Sequence, residues 1–282
     1  MRSKARLTIT LPLELLAEID QTIDKRTVRN RSHAIELLLR ESLRPVVSKA
    51  VLLAGGPGDD NQPPGLQPIQ GQALIVKTIN HLISYGIRSF IILAGRHETT
   101  IRDLVGQSEY MGAEIHYVSE QEPLGTAGAL KAAAPFLSDT PFIVFHADIL
   151  TDINVAEFIK FHFSQNKMAS IAVKPRQAGP NYGKVMLEGS QITDFIPKGQ
   201  GEGISIINAG VYLFEPEILS LVSEKTSTTL EIDVFPKLAK MGELGAFLFQ
   251  GVWFDISRSQ DYEAAQIRWQ ERGGFRHDKS QR

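Results

Sequence analysis

The chain has 282 residues, 43% of them hydrophobic and 22% charged, with a net charge of −2 and no cysteine. That length suits one large domain or two unequal ones, and the missing cysteines exclude disulfides, thiolate metal sites and cysteine nucleophiles. No apolar run approaches the ~20 residues that span a bilayer, and acids interrupt the first apolar stretch, so the chain reads as a soluble cytoplasmic protein with no membrane partner.

Charge is unevenly spread. Residues 1–49 hold ten Lys/Arg against six Asp/Glu, a basic module ahead of an acidic body. A polyanion therefore suits the basic end alone. Three segments are expected: a first domain over 1–46, a second over 49–265, and a polar tail over 266–282. In the first domain, ARLTITLP alternates, with Leu7, Ile9 and Leu11 on one face and Arg6, Thr8 and Thr10 on the other. Pro12 ends this strand and suits the first turn of a helix. Leu16, Ile19 and Ile23 make that helix's apolar stripe, with an end near Arg26. Asn30 or Ser32 caps a second helix striped by Ile35, Leu38, Leu39 and Leu43, which Pro45 closes. One strand and two helices cannot make a core alone, and a single strand needs a partner edge. Two copies pairing their strands solve both problems. The resulting ribbon would show Arg6, Thr8 and Thr10 twice over, a shape and chemistry that fit the DNA major groove. The exposed N-terminus of the second helix suits a backbone phosphate.

Residues 4–44, through RLTITLP, the helix pair and NRSHAI, resemble the ribbon-helix-helix DNA-binding domain. The resemblance implies that Arg6, Thr8 and Thr10 face DNA and that Arg31 and Ser32 lie near a phosphate. A module that only dimerises is the other reading. Both require a homodimer or a higher even oligomer.

From residue 49, strand and helix signals alternate. KAVLLAG, RSFIILAG, EIHYVSE, PFIVFHADIL and MASIAVKP read as strands. ALIVKTINHLISYG, TTIRDLVGQ, GTAGALKAAAPFL and VAEFIKFHFSQ read as helices. The pattern is that of an α/β protein with a mixed, mostly parallel sheet, in which ligands sit at the carboxyl ends of strands. Beyond about residue 180 the strands shorten, NAGVYLF being the clearest, which suggests an antiparallel lid. Trp253, Phe254 and Tyr262 read as core.

The order of these pieces resembles the sugar-phosphate nucleotidyltransferases, or NDP-sugar pyrophosphorylases, of the GT-A-like (Rossmann-like) fold. LAGGPG resembles the opening of that family's signature, EPLGTAGAL its base-binding loop, and HADIL the strand end with a metal-binding Asp. DFIPKG resembles the segment whose Lys meets the sugar phosphate, INAGVYLF the sugar-binding strand, and WFDISRSQDYEAA the segment with a second metal-binding Asp. The resemblance implies a nucleotide site at Ala54, Gly55, Gly56, Gly58, Glu120, Gly125 and Thr126. It implies a sugar site at Asn208, Gly210 and Glu231, a sugar-phosphate contact at Lys198, and Mg²⁺ on Asp148 and Asp255. The chemistry agrees with these residue types. Mg²⁺ takes hard carboxylate ligands, glycines let backbone N–H groups reach a nucleotide, and the reacting phosphates need cations. Glu120 adds a nucleotide preference, because a carboxylate accepts from the paired N–H donors of guanine; a solvated loop glutamate is the alternative.

One stretch departs from the family. Thr-Arg and a later Pro-Lys normally follow the glycines, but here Asp59 and Asp60 follow them and Pro64 stands where the Lys belongs. A unit charge pair at ~4 Å is worth ~4 kcal/mol at an effective dielectric of ~20. Loss of a transition-state cation in phosphoryl transfer costs ~10³ to 10⁵ in rate. Either Mg²⁺ recruited by the two aspartates compensates, or turnover is largely lost, or cations such as Arg96, Lys184 or some from a partner subunit substitute. The leading expectation is therefore a DNA-binding regulator whose nucleotidyltransferase-like domain binds a nucleotide or sugar nucleotide with impaired catalysis. The alternative is an active sugar-1-phosphate nucleotidyltransferase, of GTP/mannose type on the Glu120 argument, with a dimerising or autoregulatory first module.

Overall fold

The computed structural model describes residues 8–42, 47–56, 63–106, 109–120, 122–137, 139–177, 182–198, 203–223 and 227–272. Arg6, Gly58, Asp59 and Asp60 lie outside them. The chain divides into two units, Met1–Pro45 and Val46–Arg282.

In the first unit Pro12 opens helix α1 (Leu13–Gln21), its carbonyl accepting from the Leu16 N–H at 3.0 Å. The helix ends before the expected Arg26 because Asp24 gathers the next amides. Its Oδ1 accepts from the N–H groups of Arg26, Thr27 and Val28 at 2.8, 2.7 and 2.8 Å. Asn30 caps α2 (Arg31–Ser42), accepting from the His33 N–H at 3.0 Å. Ile19 and Ala34 are this unit's buried apolar residues among those described. Residues 8–12 lie outside any strand, and Thr8, Thr10 and Ser32 are exposed. Arg31, expected beside a DNA phosphate, is instead held in a two-pronged ion pair by Asp20, with both N···O distances 2.6 Å. Leu13 is 83% exposed, and Leu15, Leu38 and Leu39 are exposed too.

The second unit's strands are β1 (Lys49–Leu53), β2 (Pro68–Ile69), β3 (Gln72–Ala73), β4 (Ser89–Leu93), β5 (Glu109–Tyr110), β6 (Ala113–Val118) and β7 (Phe142–His146). There follow β8 (Ile149–Thr151), β9 (Ala169–Gln177), β10 (Lys184–Glu188), β11 (Gln191–Ile196), β12 (Ile204–Phe214), β13 (Leu244–Leu248) and β14 (Trp253–Asp255). Its helices are α3 (Leu74–Ser84), α4 (Glu98–Val105), α5 (Gly125–Ala132), α6 (Ala134–Leu137), α7 (Val155–Gln165), α8 (Phe235–Met241) and α9 (Ser259–Arg272). Ten strands form one mixed sheet in the order β10-β11-β13-β9-β12-β7-β1-β4-β6-β5. β7, β1, β4 and β6 are parallel, and β12 runs antiparallel between β7 and β9. The carboxyl ends of β1, β4, β7 and β9 therefore share one edge, where a ligand site is expected.

Strand alternation builds the two faces. Ala50, Leu52, Phe90, Ile92, Ile143 and Phe145 pack with Ile75, Ile79 and Leu82 of α3 and Phe158 of α7. Their neighbours Val51, Ile91 and Val144 pack on the opposite face with Leu130 of α5 and with Phe235 and Leu238 of α8. A smaller cluster joins Ile69, Leu74, Leu150 and Ile256 to Ala265 and Trp269 of α9. Here the polar tail expected from residue 266 is corrected. Ala265 and Trp269 stand one turn apart on a helix that continues to Arg272, and Trp269 is 1% exposed. No helix among the described residues is long and apolar enough to cross a membrane.

Candidate active site

The glycine loop begins where β1 ends. The Ala54 N–H donates to the Leu93 carbonyl of β4 at 2.9 Å. Gly55 lies so close to Gly95 that a Cβ on it would meet the Gly95 nitrogen at 2.9 Å, whereas a Cβ on Gly56 would meet no described residue within 4 Å. The returning chain passes over the end of β7, where a Cβ on Gly65 would sit 2.9 Å from the Ala147 carbonyl oxygen. Gly55 and Gly65 are thus required by close backbone approach, whereas the space over Gly56 is open among the described residues.

The expected base loop has structural duties. One Glu120 oxygen accepts from the Leu124 N–H at 2.9 Å, a local bond that competes with base reading. Gly125 has φ +74°, and a Cβ there would lie 2.3 Å from the Thr228 carbonyl oxygen. That carbonyl accepts from the N–H groups of Ala127 and Gly128 at 3.0 and 3.2 Å, and Thr126 Oγ1 accepts from the Leu230 N–H at 3.0 Å. Gly125 and Thr126 therefore clamp the start of a π-helical turn, Leu230–Val234, that carries Glu231.

At the end of β7 the chain turns through Ala147 into Asp148. β14 pairs with β8 so that Asp255 stands opposite Ile149, and the Ile256 N–H donates to the Asp148 carbonyl at 2.9 Å. Both carboxylates are thereby brought to one place. Asp148 Oδ1 is buried with no hydrogen-bond partner among the described residues. Burial, and then the charge of Asp255, push Asp148 up to about 7, against a smaller pull from Lys198. Asp255 Oδ1 accepts from the Ser257 N–H and hydroxyl at 3.2 and 2.5 Å. Burial also holds His146 down to about 4, so its ring is neutral near pH 7; the charges of Glu231, Lys198 and Asp255 all reach it. The described residues contain no cluster of three or more His, Asp or Glu able to cage a metal. Mg²⁺ needs no cage, since it takes one or two carboxylates and completes its shell with phosphates and water. An orphaned carboxylate oxygen beside a second carboxylate fits that ion.

The expected sugar residues stand next to this pair. Asn208 Nδ2 donates to the Tyr212 hydroxyl at 2.9 Å and to Glu231 Oε1 at 3.0 Å, and Asn208 Oδ1 accepts from the Gly210 N–H at 3.0 Å. Both amide hydrogens and the carbonyl oxygen of Asn208 are thus engaged within the protein, so Asn208 positions Glu231. Tyr212 completes the chain of contacts, its hydroxyl 3.2 Å from His146 Nε2. Gly210 has φ +71° where β12 breaks its pairing with β9, and a Cβ there would sit 3.0 Å from Ile149. Lys198 is exposed just past β11, its charge felt at both His146 and Asp148.

Sequence reading missed a second cluster beside Asp255. The Arg176 guanidinium donates to Asp261 Oδ1 at 2.6 Å, and the Tyr182 hydroxyl donates to Asp261 Oδ2 at 3.1 Å. Arg258 Nη1 donates to the same Tyr182 hydroxyl at 2.9 Å. Tyr182 is 5% exposed and lies edge-on to Trp253 at 5.6 Å. The aromatic and acidic members were each unremarkable in sequence, and only the fold joins them.

Comparison with known proteins agrees with this geometry. Residues 49–271 match the Nucleotidyl transferase family. The mannose-1-phosphate guanylyltransferase catalytic subunit beta of Danio rerio is 32% identical over 225 residues, which cover 76% of this chain and 62% of the relative. Its counterpart in Dictyostelium discoideum is 33% identical over 224 residues, with the same two shares. The chain thus spans about three fifths of the length of these curated relatives. HddC from Yersinia pseudotuberculosis, solved in complex with GMP-PN, superposes with a TM-score of 0.68 at 24% identity, over 79% of this chain and 100% of HddC. UDP-glucose pyrophosphorylase from Acinetobacter baumannii gives 0.65 at 17% identity, over 79% of this chain and 93% of its own. These two likenesses establish the α/β nucleotidyltransferase fold. With the family match spanning most of its length, the chain belongs to the nucleotidyl transferase family.

Proposed function

We propose that the second unit joins an NTP to a sugar 1-phosphate and releases pyrophosphate, with GTP and mannose 1-phosphate as the substrate pair. This is the alternative of the two functional expectations, and the relatives named mannose-1-phosphate guanylyltransferase support it over a DNA-binding regulator. The observation that carries it is the buried Asp148 Oδ1, without a hydrogen-bond partner among the described residues, set beside Asp255 at the sheet edge. The guanine preference rests on the relatives, since Glu120 is engaged by Leu124.

In the reaction an oxygen of the sugar phosphate attacks the α-phosphorus of the NTP, the α–β bridging bond breaks, and pyrophosphate leaves with the bond's electrons. Asp148 and Asp255 would hold Mg²⁺, which when bound offsets phosphate charge. Asn208 fixes Glu231 Oε1, leaving Oε2 to accept from a sugar hydroxyl. Gly56 leaves room for the nucleotide, and Lys198 supplies positive charge to the sugar phosphate. Neutral His146 orients the Tyr212 hydroxyl and keeps a second positive charge out of the floor. The reverse reaction provides the test. Incubated with Mg²⁺ and pyrophosphate, the protein should convert GDP-mannose to GTP, and Asp148→Ala should not. Release of UTP or dTTP from other sugar nucleotides instead would retain the transferase and remove the guanine assignment. Release of no NTP at all would overturn the proposal.

A separate reading concerns the first unit. Its exposed Leu13, Leu15, Leu38 and Leu39 support pairing with a second copy as a ribbon-helix-helix dimer over residues 1–46. Such a dimer would present Arg6, Thr8 and Thr10 to DNA, without Arg31, which Asp20 holds. Sedimentation of the full chain tests the pairing: a monomer at micromolar concentration would rule it out.

A further inference from the structure

No lysine or arginine stands between Lys49 and Lys77, so the sequence after β1 offers no cation for a triphosphate and has Asp59 and Asp60 after its glycines. Nucleotidyl transfer builds negative charge on the leaving pyrophosphate, which catalysis meets with donors set where the charge develops. The donors have to come from other segments. Arg96 follows β4, Lys184 opens β10, and Lys198 follows β11. A fourth cation, Arg258, has the surroundings of a built site.

Arg258 lies three residues beyond Asp255, in the turn that leads into α9. Its hydrogen bond goes to a neutral acceptor, the Tyr182 hydroxyl, and its ion pair with Asp261 is stretched to 4.0 Å. Asp261 is committed elsewhere, to Arg176 at 2.6 Å and to the Tyr182 hydroxyl at 3.1 Å. Two guanidinium groups thus share Asp261 among the described residues, and the looser share falls to Arg258, whose side chain is 40% exposed against 27% for Arg176. Arg176 is further pinned over the rings of Trp253 and Tyr182, at 5.1 and 5.5 Å. Arg258 stands 5.5 Å over the Tyr182 ring, a contact that together with the hydroxyl bond restrains the side chain before any ligand arrives. The cluster has neighbours in both parts of the site. The charge of Asp255 reaches Arg258 and Tyr182 alike. Tyr182 also adjoins Gly183, whose carbonyl accepts from the Asn208 N–H at 2.9 Å and where a Cβ would sit 3.3 Å from Glu231 Oε1.

We propose that Arg258 is the cation this chain presents to the phosphates of its nucleotide, standing in for the positive charge absent from the loop after β1. The assignment rests on the transferase reading above. Guanidinium carries five N–H donors in a planar fork; Tyr182 uses one, and the remainder can take phosphate oxygens two at a time. Arg176 and Asp261 form the platform under it and touch no ligand.

The experiment is calorimetric binding of GDP and of guanosine, with Mg²⁺, to the full chain and to Arg258→Gln and Arg258→Lys. Glutamine can still donate to Tyr182 but carries no charge, whereas lysine keeps the charge and loses the fork. The expected result is that Arg258→Gln weakens GDP by about 10- to 100-fold and leaves guanosine unchanged, with Arg258→Lys falling between it and the parent. Equal GDP affinity in the parent and Arg258→Gln would overturn the proposal. So would an equal loss of GDP and guanosine, which a purely structural role produces. Unfolding midpoints are recorded in parallel, and Arg258→Thr carries the same comparison if the glutamine variant does not fold. A parent that binds neither GDP nor guanosine would instead count against the transferase reading itself, and the assignment would go with it.

Discussion

Replacing Asp148 with Asn should make the metal-free protein more stable, and the gain should depend on pH. Burial and Asp255 raise the carboxyl from 3.8 to about 7, so the folded chain holds this proton more tightly than the unfolded one. Below about pH 4 the group is protonated in both states and the parent suffers no penalty. From there to about pH 7 the unfolded chain releases its proton while the folded chain keeps it, so ionisation favours the unfolded state and stability falls. At 1.36 kcal/mol per pH unit the accumulated cost is about 4 kcal/mol at pH 8, a ceiling that water in the cleft lowers. Asparagine cannot ionise. Urea unfolding of parent and Asp148→Asn in EDTA should therefore give equal stabilities near pH 4 and a gap of about 2 to 4 kcal/mol in favour of Asn at pH 8. Excess Mg²⁺ should close the gap by stabilising the parent alone, since a ligand that binds the folded state adds to its stability. Parallel pH profiles in EDTA, or a less stable Asn variant at pH 8, would refute the placement of Asp148 as a buried carboxylate held for a cation.

Four further outcomes are expected. Mg²⁺ must displace the Asp148 proton, so its Kd should tighten by up to about tenfold per pH unit below about 7 and level off above, as titration calorimetry would read. Gly125→Ala places a Cβ 2.3 Å from the Thr228 oxygen at φ +74° and should cost about 3 kcal/mol or more in denaturant unfolding; near-parental stability would show that the clamp on the Glu231 turn is loose. Glu231→Gln should raise KM for the sugar 1-phosphate by about 10- to 100-fold while changing KM for GTP little, measured in steady state. Trp269→Ala should cost about 3 to 5 kcal/mol, because the side chain closes the cluster of Ile69, Leu74, Leu150 and Ile256; a silent substitution would return residues 266–272 to a tail.

The sheet was legible because each central strand is a short buried run bounded by turn residues, and parallel strands covered on both faces must read that way. Asp148 and Asp255 were legible for a different reason: they end recognisable segments, and β8–β14 pairing then brings them together. Elsewhere the structure adds partners that the sequence does not announce. One Glu120 oxygen accepts from the Leu124 N–H four residues on. Gly125 looked like a nucleotide contact, but the reason for glycine is the Thr228 carbonyl, supplied by a distant segment. Arg176 and Asp261 are 85 residues apart, and no spacing rule links them. The helix end at Arg272 was missed because the polar residues around Trp269 outweighed the single i, i+4 pair it makes with Ala265. Asp59 and Asp60, on which with Pro64 the impaired-catalysis expectation turned, lie outside the described residues, as does Gly58 of the expected nucleotide site.

The most direct measurement is pyrophosphate release in the forward direction by the full chain with Mg²⁺. GTP, UTP, dTTP, CTP and ATP would each be offered against mannose, glucose and N-acetylglucosamine 1-phosphates, with Asp148→Ala alongside. The expected result is release that requires a sugar 1-phosphate, is greatest with GTP and mannose 1-phosphate, and disappears in Asp148→Ala. No sugar-dependent release from any pair would contradict the assignment of Asp148 and Asp255 to nucleotidyl transfer.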